Sequence, residues 1–290
     1  MPEAGVPSVR TAPANHGNRA ALRGLVPALP ALVFTLLIFA IPILILLARS
    51  VTDPEPGFGN YALFFSDWFY FQILWNTFFM SGCVTLVCLL LAYPLAWALL
   101  IMNKQMAQGV LAVVVLSAWT SLLAKVYALL ILLQDNGAIN LLLMKLGIIS
   151  SPLALVHNFA GVIIGMSYIM LPYVVLPIHS TLSTIDPVLL QAASTMGAKP
   201  RTIFFRIMLP MSLPGISTGC ILCFVLCLGY FVVPAILGSG RDMLITQFIF
   251  EQVRSFLNWG MGSAAAFILL LATFVLYALY LKFVGLEVRT

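Results

Sequence analysis

The chain has 290 residues, 62% of them hydrophobic and 8% charged, with a formal net charge of +5 and a mean hydropathy of +1.09. A soluble domain carries about 25% charged residues and about 45–50% apolar ones, and a globule of this length has no interior large enough to hide so much apolar surface from water. A soluble fold is excluded and a polytopic membrane protein is expected, with the lipid bilayer as one partner and no nucleic acid among the others.

Residues 1–24 hold Pro, Ala and Asn with Arg10, Arg19 and Arg23, and show no periodicity. They predict a disordered tail. The apolar run 25–47 is too long for a signal-peptide core and no cleavage pattern follows it, so it reads as the first membrane anchor. Runs able to cross the hydrocarbon core, about 20 residues each, recur at 25–48, 73–101, 109–133, 157–180, 213–237 and 262–284. An all-α membrane domain of six transmembrane helices over 25–290 is the expectation, because unbroken apolar runs of this length do not build a β-barrel.

The distribution of Lys and Arg sets the orientation. With both termini in the cytoplasm, nine basic residues fall inside (Arg10, Arg19, Arg23, Lys104, Lys199, Arg201, Arg206, Lys282, Arg289) and five fall outside or in the membrane. On the outer side, DPEPGFGN (53–60) is a turn cluster, followed by aromatics suited to the membrane–water interface. Segments 139–149 and 243–257 read either as amphipathic helices on the outer surface or as simple caps on the bundle. Pro94, Pro172, Pro177 and Pro234 interrupt three spans, and each frees a carbonyl that a neighbour must satisfy.

Cys220, Cys223 and Cys227 share a helical face, and buried cysteine packs as a small hydrophobe; no metal site is expected. His157 and His179, near the two ends of the fourth span, read as interfacial polar residues. Lys125 is the informative lone charge. A lysine in a span faces a wet cavity or a bundle interior, or snorkels to an interface. It reads as pathway lining or as a structural pair with Asp135 or Asp242. Trp119, Tyr127, Tyr168, Tyr173 and Tyr230 supply aromatic faces, and with Lys125 and Asp242 they are the candidate translocation residues. No carboxylate lies deep in a predicted span, so Lys125 suits a substrate bearing a carboxylate, such as an amino acid, a gamma-amino acid or an opine.

One inner connection is larger than a joint needs to be. Asp186-Pro187 is an N-cap followed by Pro at the first helical position; the helix should run through VLLQAASTM and end at Gly197. Lys199-Pro200 should start a second short helix, RTIFFRIM, with Arg201, Phe204, Phe205 and Met208 on one face and a stop at Leu209-Pro210. Ala192, Ala193 and Gly197 would offer a smooth surface, flanked by Lys199, Arg201 and Arg206. Two readings fit: a helix pair resting on anionic lipid, or a dock for a cytoplasmic partner.

QAASTMGAKPRTIFFRIMLPMSLPG (191–215) resembles the signature loop of inner-membrane permease subunits of binding-protein-dependent ABC importers, with matching positions at Ala192, Ala193, Gly197, Ile207, Leu209 and Pro210. WNTFFMSGCVTLVCLLLAYPLAWAL (75–99) is similar to the opening of that family's core, and LGYFVVPAILGSGRDMLITQFI (228–249) is similar to spermidine/putrescine-type permeases. About 58–285 is covered. The resemblance implies a type I importer permease fold, with a coupling loop over about 181–212. It implies ATPase-coupling roles for Gln191, Ala192, Ala193, Gly197, Lys199, Arg201, Phe204, Phe205, Arg206 and Pro210. It also implies a bacterial inner-membrane location, a cytoplasmic ATPase dimer, a second permease subunit of unlike sequence, and an extracytoplasmic substrate-binding protein. Polyamine is the cargo it favours. Two positions depart from the pattern: Gln191 stands where the family usually has Glu, and Tyr230 stands where polyamine-type members often carry an acid.

The chain has no G-x-x-x-x-G-K-[ST], so no cofactor is expected in it, and ATP and Mg are expected on the partner ATPase. It also lacks G-x-S-x-G and H-E-x-x-H, so no enzyme activity is expected. The alternative is a stand-alone secondary transporter or channel; these often contain inverted repeats, and the two halves show no convincing repeat.

Overall fold

A computed structural model describes residues 29–284, and the tail predicted over 1–24 lies outside them. The long elements are α1 (Leu29–Thr52), α3 (Trp68–Ile101), α7 (Phe159–Leu182), α10 (Leu209–Leu228) and α13 (Trp259–Val284). Between them lie α2 (Gly59–Ser66), α4 (Lys104–Trp119), α5 (Leu122–Leu133), α6 (Ala138–Lys145), α8 (Pro187–Thr195) and α9 (Pro200–Ile203). A π-helical turn (Phe204–Met208) joins α9 to α10, and α11 (Val232–Leu237) and α12 (Ile245–Arg254) follow α10. Six helical stretches among the described residues are long and apolar enough to cross a membrane: Leu29–Thr52, Trp68–Ile101, Leu122–Lys145, Phe159–Leu182, Pro200–Leu228 and Trp259–Lys282. The helices predicted near 139–149 and 243–257 are α6 and α12.

Short polar side chains start the helices. Asp67, Asn103, Asn158 and Asp186 accept from Phe69, Met106, Gly161 and Val188 amides at 2.8–2.9 Å, which satisfies amides that a helix start leaves without partners.

The core is a trio of mutually packed helices, α3, α7 and α10, while α1 lies against α13 at the periphery. Met80, Val84, Cys88, Ala92 and Ala96 form a buried row of every fourth residue on α3. Met166, Met170, Val174 and Ile178 form the matching row on α7. On α10 the row is Gly215, Gly219, Cys223 and Cys227, all buried. Small residues four apart let helix backbones approach closely. At Gly215 a Cβ would stand 2.7 Å from the Pro177 carbonyl oxygen, so only glycine fits that crossing. Cys88, Cys223 and Cys227 meet in this core as free thiols, and Cys88 Sγ donates to the Ser167 carbonyl at 3.5 Å.

Three expectations need correction. The third span is interrupted: Thr120 and Ser121 separate α4 from α5, because Ser and Thr hydroxyls compete for backbone carbonyls and Thr120 Oγ1 takes the Ser117 carbonyl at 2.8 Å. The fifth span is also broken, at Gly229–Phe231, and α11 starts afresh two residues before Pro234, which is where a helix tolerates proline. Finally, Leu209-Pro210 does not stop the second elbow helix. The Leu209 amide reaches back five residues to the Phe204 carbonyl, and this π turn absorbs Pro210, so Pro200–Leu228 is one continuous apolar stretch.

Candidate functional site

The elbow lies at the end of the bundle where α3 finishes, since Trp97, Leu100, Ile101, Leu182, Ile185, Pro187, Leu190 and Met208 line one cavity of about 300 Å³ there. α8 begins as predicted, with Asp186 capping it and Pro187 in its first turn. It ends as predicted at Gly197, whose φ of +82° is the left-handed conformation that glycine adopts without a Cβ clash. The Gly197 amide bonds the Ser194 carbonyl at 3.0 Å and the Ala198 amide bonds the Ala193 carbonyl at 3.1 Å. These two bonds make a complete Schellman cap, so the elbow is a fixed shape.

The coupling candidates divide by side. Gln191, Ala192, Gly197, Lys199, Arg201, Phe205, Arg206 and Pro210 are exposed, whereas Ala193 is 6% exposed and faces the bundle. Phe204 also turns inward, with its ring centroid 5.7 Å from Tyr93 and 5.6 Å from Trp97. The single face predicted for Arg201, Phe204, Phe205 and Met208 therefore does not form. Met208 is buried and Phe205 is 62% exposed, because the wider π turn shifts the register assumed from 3.6 residues per turn. The exposed side adds two residues that sequence reasoning passed over, Val188 and Met196, the latter 82% exposed. With Phe205 they are the most exposed large apolar side chains of this elbow, in the same stretch of chain as the exposed Lys199, Arg201 and Arg206. Nothing in the helical period marks Met196, because it lies at the cap.

The translocation candidates do not converge on one site. Tyr173 and Tyr230 pack against the core cluster, whereas Trp119, Tyr127 and Tyr168 sit on exposed faces. Lys125 Nζ donates to the Ser117 carbonyl at 2.7 Å, across the break between α4 and α5. Asp242 accepts from Ser239 Oγ at 2.7 Å. The Tyr230 carbonyl is held by Thr246 Oγ1 at 2.8 Å, and the Ile245 amide donates to Thr77 Oγ1 at 2.9 Å. The start of α12 is therefore fastened to both α3 and the break after α10. His157 is exposed with φ +57°, and His179 is half-buried in α7.

Comparison with known proteins places this architecture. The family model described as "Binding-protein-dependent transport system inner membrane component" matches residues 20–284. A spermidine/putrescine transport system permease protein of Haemophilus influenzae is 35% identical over 246 residues, 81% of this chain and 86% of that protein. Its counterpart in Escherichia coli is 33% identical over 74% of this chain and 78% of that protein. A molybdenum transport system permease of Azotobacter vinelandii is 28% identical over 69% of this chain and 88% of its own length. The fold matches a chain of a bacterial alginate ABC transporter with a TM-score of 0.75, at 18% identity over 90% of this chain and 93% of that one. It also matches a chain of a methionine ABC transporter in an inward-facing form, with a TM-score of 0.56 at 18% identity over 75% and 95% of the two chains. A stand-alone transporter or channel is not favoured by these relatives. The chain is a permease subunit and belongs to the family of binding-protein-dependent transport system inner membrane components.

Proposed function

We propose that the chain is one of two transmembrane subunits of an ATP-driven importer of polyamines in a bacterial inner membrane. The observation that carries the substrate class is the 35% identity, over 81% of the chain, with a spermidine/putrescine permease. Lys104, Lys199, Arg201 and Arg206 all lie at the elbow end, which supports a cytoplasmic elbow and cytoplasmic termini. An extracytoplasmic binding protein would then meet the opposite end, around α2, α6 and α12.

The mechanical reading follows from the fold. The exposed apolar side chains of Val188, Met196 and Phe205, with Gln191, Ala192 and Gly197, would seat in a cytoplasmic ATPase subunit, which supplies ATP and Mg. Lys199, Arg201, Arg206 and Pro210 would border that seat. Pro200–Leu228 then acts as one lever about 43 Å long, taking its 29 residues at about 1.5 Å each. Its far end is the break at Gly229–Phe231, fastened through Tyr230 to α12. A pull at the elbow would therefore move the helix ends beside Tyr173 and Tyr230, while Lys125 braces the interrupted third span.

The test is uptake by membrane vesicles carrying the chain with its ATPase, partner permease and binding protein. ATP-dependent accumulation of labelled spermidine, inhibited by putrescine, is expected. Uptake indifferent to every polyamine would overturn the substrate class, and uptake without the ATPase would overturn the coupling.

A further inference from the structure

At the end opposite the elbow, α3 is longer than a membrane crossing needs. Its 34 residues span about 51 Å at the helical rise, against a hydrocarbon core of about 30 Å. With Ile101 at the elbow end, the first turns stand at or beyond the lipid boundary. They carry two amides among aromatics. Trp68, Phe71, Gln72, Trp75 and Asn76 line a cavity of about 480 Å³. Phe69, Gln72, Ile73, Asn76, Gly240 and Met243 line a second cavity of about 330 Å³. Gln72 and Asn76 are common to both and form the divide between them.

The aromatic wall is braced. The Trp75 ring stacks on Phe79 at 6.4 Å and 11°, and Phe79 stacks on Phe159 of α7 at 5.7 Å and 25°. Trp68 and Phe71 lie 5.2 Å apart one turn above. Thr77, next to Asn76, has its hydroxyl paired as both donor and acceptor: it donates to the Ile73 carbonyl and accepts from the Ile245 amide. The Gln72 and Asn76 side chains have no such partners among the described residues. An interfacial belt accounts for exposed tryptophans, but it does not account for two amides with no partner among the described residues, set side by side between two cavities.

The lining selects a chemistry. The residues that line the two cavities carry no formal charge, so a carboxylate finds no cationic partner among them. An ammonium finds indole faces and amide oxygens to accept its N–H groups, and methylenes find aromatic surface. We propose that the two cavities flanking Gln72 and Asn76 form an entry subsite for an aliphatic ammonium solute, held by the faces of Trp68 and Trp75 and by the two amide oxygens. This rests on the polyamine reading above. The neutral lining holds a cation weakly enough to pass it on.

The test uses the complete transporter in cells lacking other polyamine uptake. Trp75→Ala and Asn76→Leu should each lower spermidine uptake about tenfold, the scale of a lost cation–π contact for the first and of a lost hydrogen bond to a charged group for the second, with basal ATPase activity and the amount of chain in the membrane unchanged. Trp75→Phe and Asn76→Gln should keep most of the rate. Asn76→Cys in the same complex should react with a membrane-impermeant maleimide applied outside, and spermidine, but not glutamate, should slow that reaction. If the wild type imports spermidine while Trp75→Ala and Asn76→Leu transport normally, the aromatic wall is an interfacial belt only and the subsite is overturned. Failure of the maleimide to react, or of spermidine to protect, overturns it equally. If the wild type imports no amine, the polyamine reading itself falls and takes the subsite with it.

Discussion

Pro234 has no amide hydrogen, and its ring excludes a helical carbonyl at Tyr230, four residues earlier; Thr246 Oγ1 supplies the missing donor at 2.8 Å. The Ser117 carbonyl lies in the last turn of α4, where no helical amide remains; Thr120 Oγ1 fills one of its lone pairs at 2.8 Å and leaves the second open. Lys125 Nζ meets it at 2.7 Å, and a cation there also opposes the negative end of the helix dipole. Of the two sequence readings of Lys125, structural pairing has an observed partner, and that partner is neither Asp135 nor Asp242. The lone charge was visible in the sequence, but the acceptor was not. A backbone carbonyl released by a helix break has no letter of its own. Thr246→Val should cost about 1–3 kcal/mol, the penalty for an unsatisfied polar group, while Thr246→Ser should be close to neutral. Lys125→Met should likewise lower the thermal midpoint of the purified transporter in detergent, and Lys125→Arg should restore it. An unchanged midpoint with lost uptake in Lys125→Met would move the ammonium from brace to pathway.

At the scale of elements, legibility followed local chemistry. Asp186-Pro187 and Gly197 bound α8 as read, because an Asx cap and a left-handed glycine act within four residues of themselves. The six apolar runs were also readable, since hydrocarbon demands them. The joints between helices were not. Whether Thr120-Ser121 breaks a helix, or Pro210 is absorbed by a π turn, depends on what the neighbouring helix offers the freed groups. Helix pairing was equally hidden in runs that are apolar on every side, although the spacing Gly215-x-x-x-Gly219 was a signal that could have paired α7 with α10. Gly215→Val should force the two helices apart, because its side chain would meet the Pro177 carbonyl and the Thr181 side chain. The expected loss is about 1–3 kcal/mol or more, as for overpacked cores. It would be read as a lower thermal midpoint and less extractable chain. Gly82→Val, where no atom lies within 4 Å of the added Cβ, should be tolerated.

For the whole molecule, the question is whether the elbow transmits force or merely decorates one end. A tethered loop would yield at its joints, and this one has few. α8 is closed by the Schellman cap, and Phe204 is wedged against Tyr93 and Trp97 of α3. Ser212 shares a hydrogen bond of 3.3 Å with Tyr93. Beyond that frame Val188, Met196 and Phe205 are uncovered, and Met196 is the most exposed of the three. Met196→Glu places a charge where a partner would have to desolvate it without disturbing the bundle. The chain should keep its thermal midpoint, lose the ATPase subunit on co-purification by tenfold or more, and lose uptake in parallel. Gly197→Ala separates shape from charge. Its Cβ meets nothing within 4 Å, but the φ of +82° makes the substitution strained, at about 1 kcal/mol. It should weaken α8 slightly and leave docking largely intact. Ala193→Asp would be a poorer probe, since Ala193 faces the bundle and its loss would report on packing. Co-purification of the ATPase with Met196→Glu at wild-type yield would remove the exposed elbow residues from the docking surface and leave the lever without a handle.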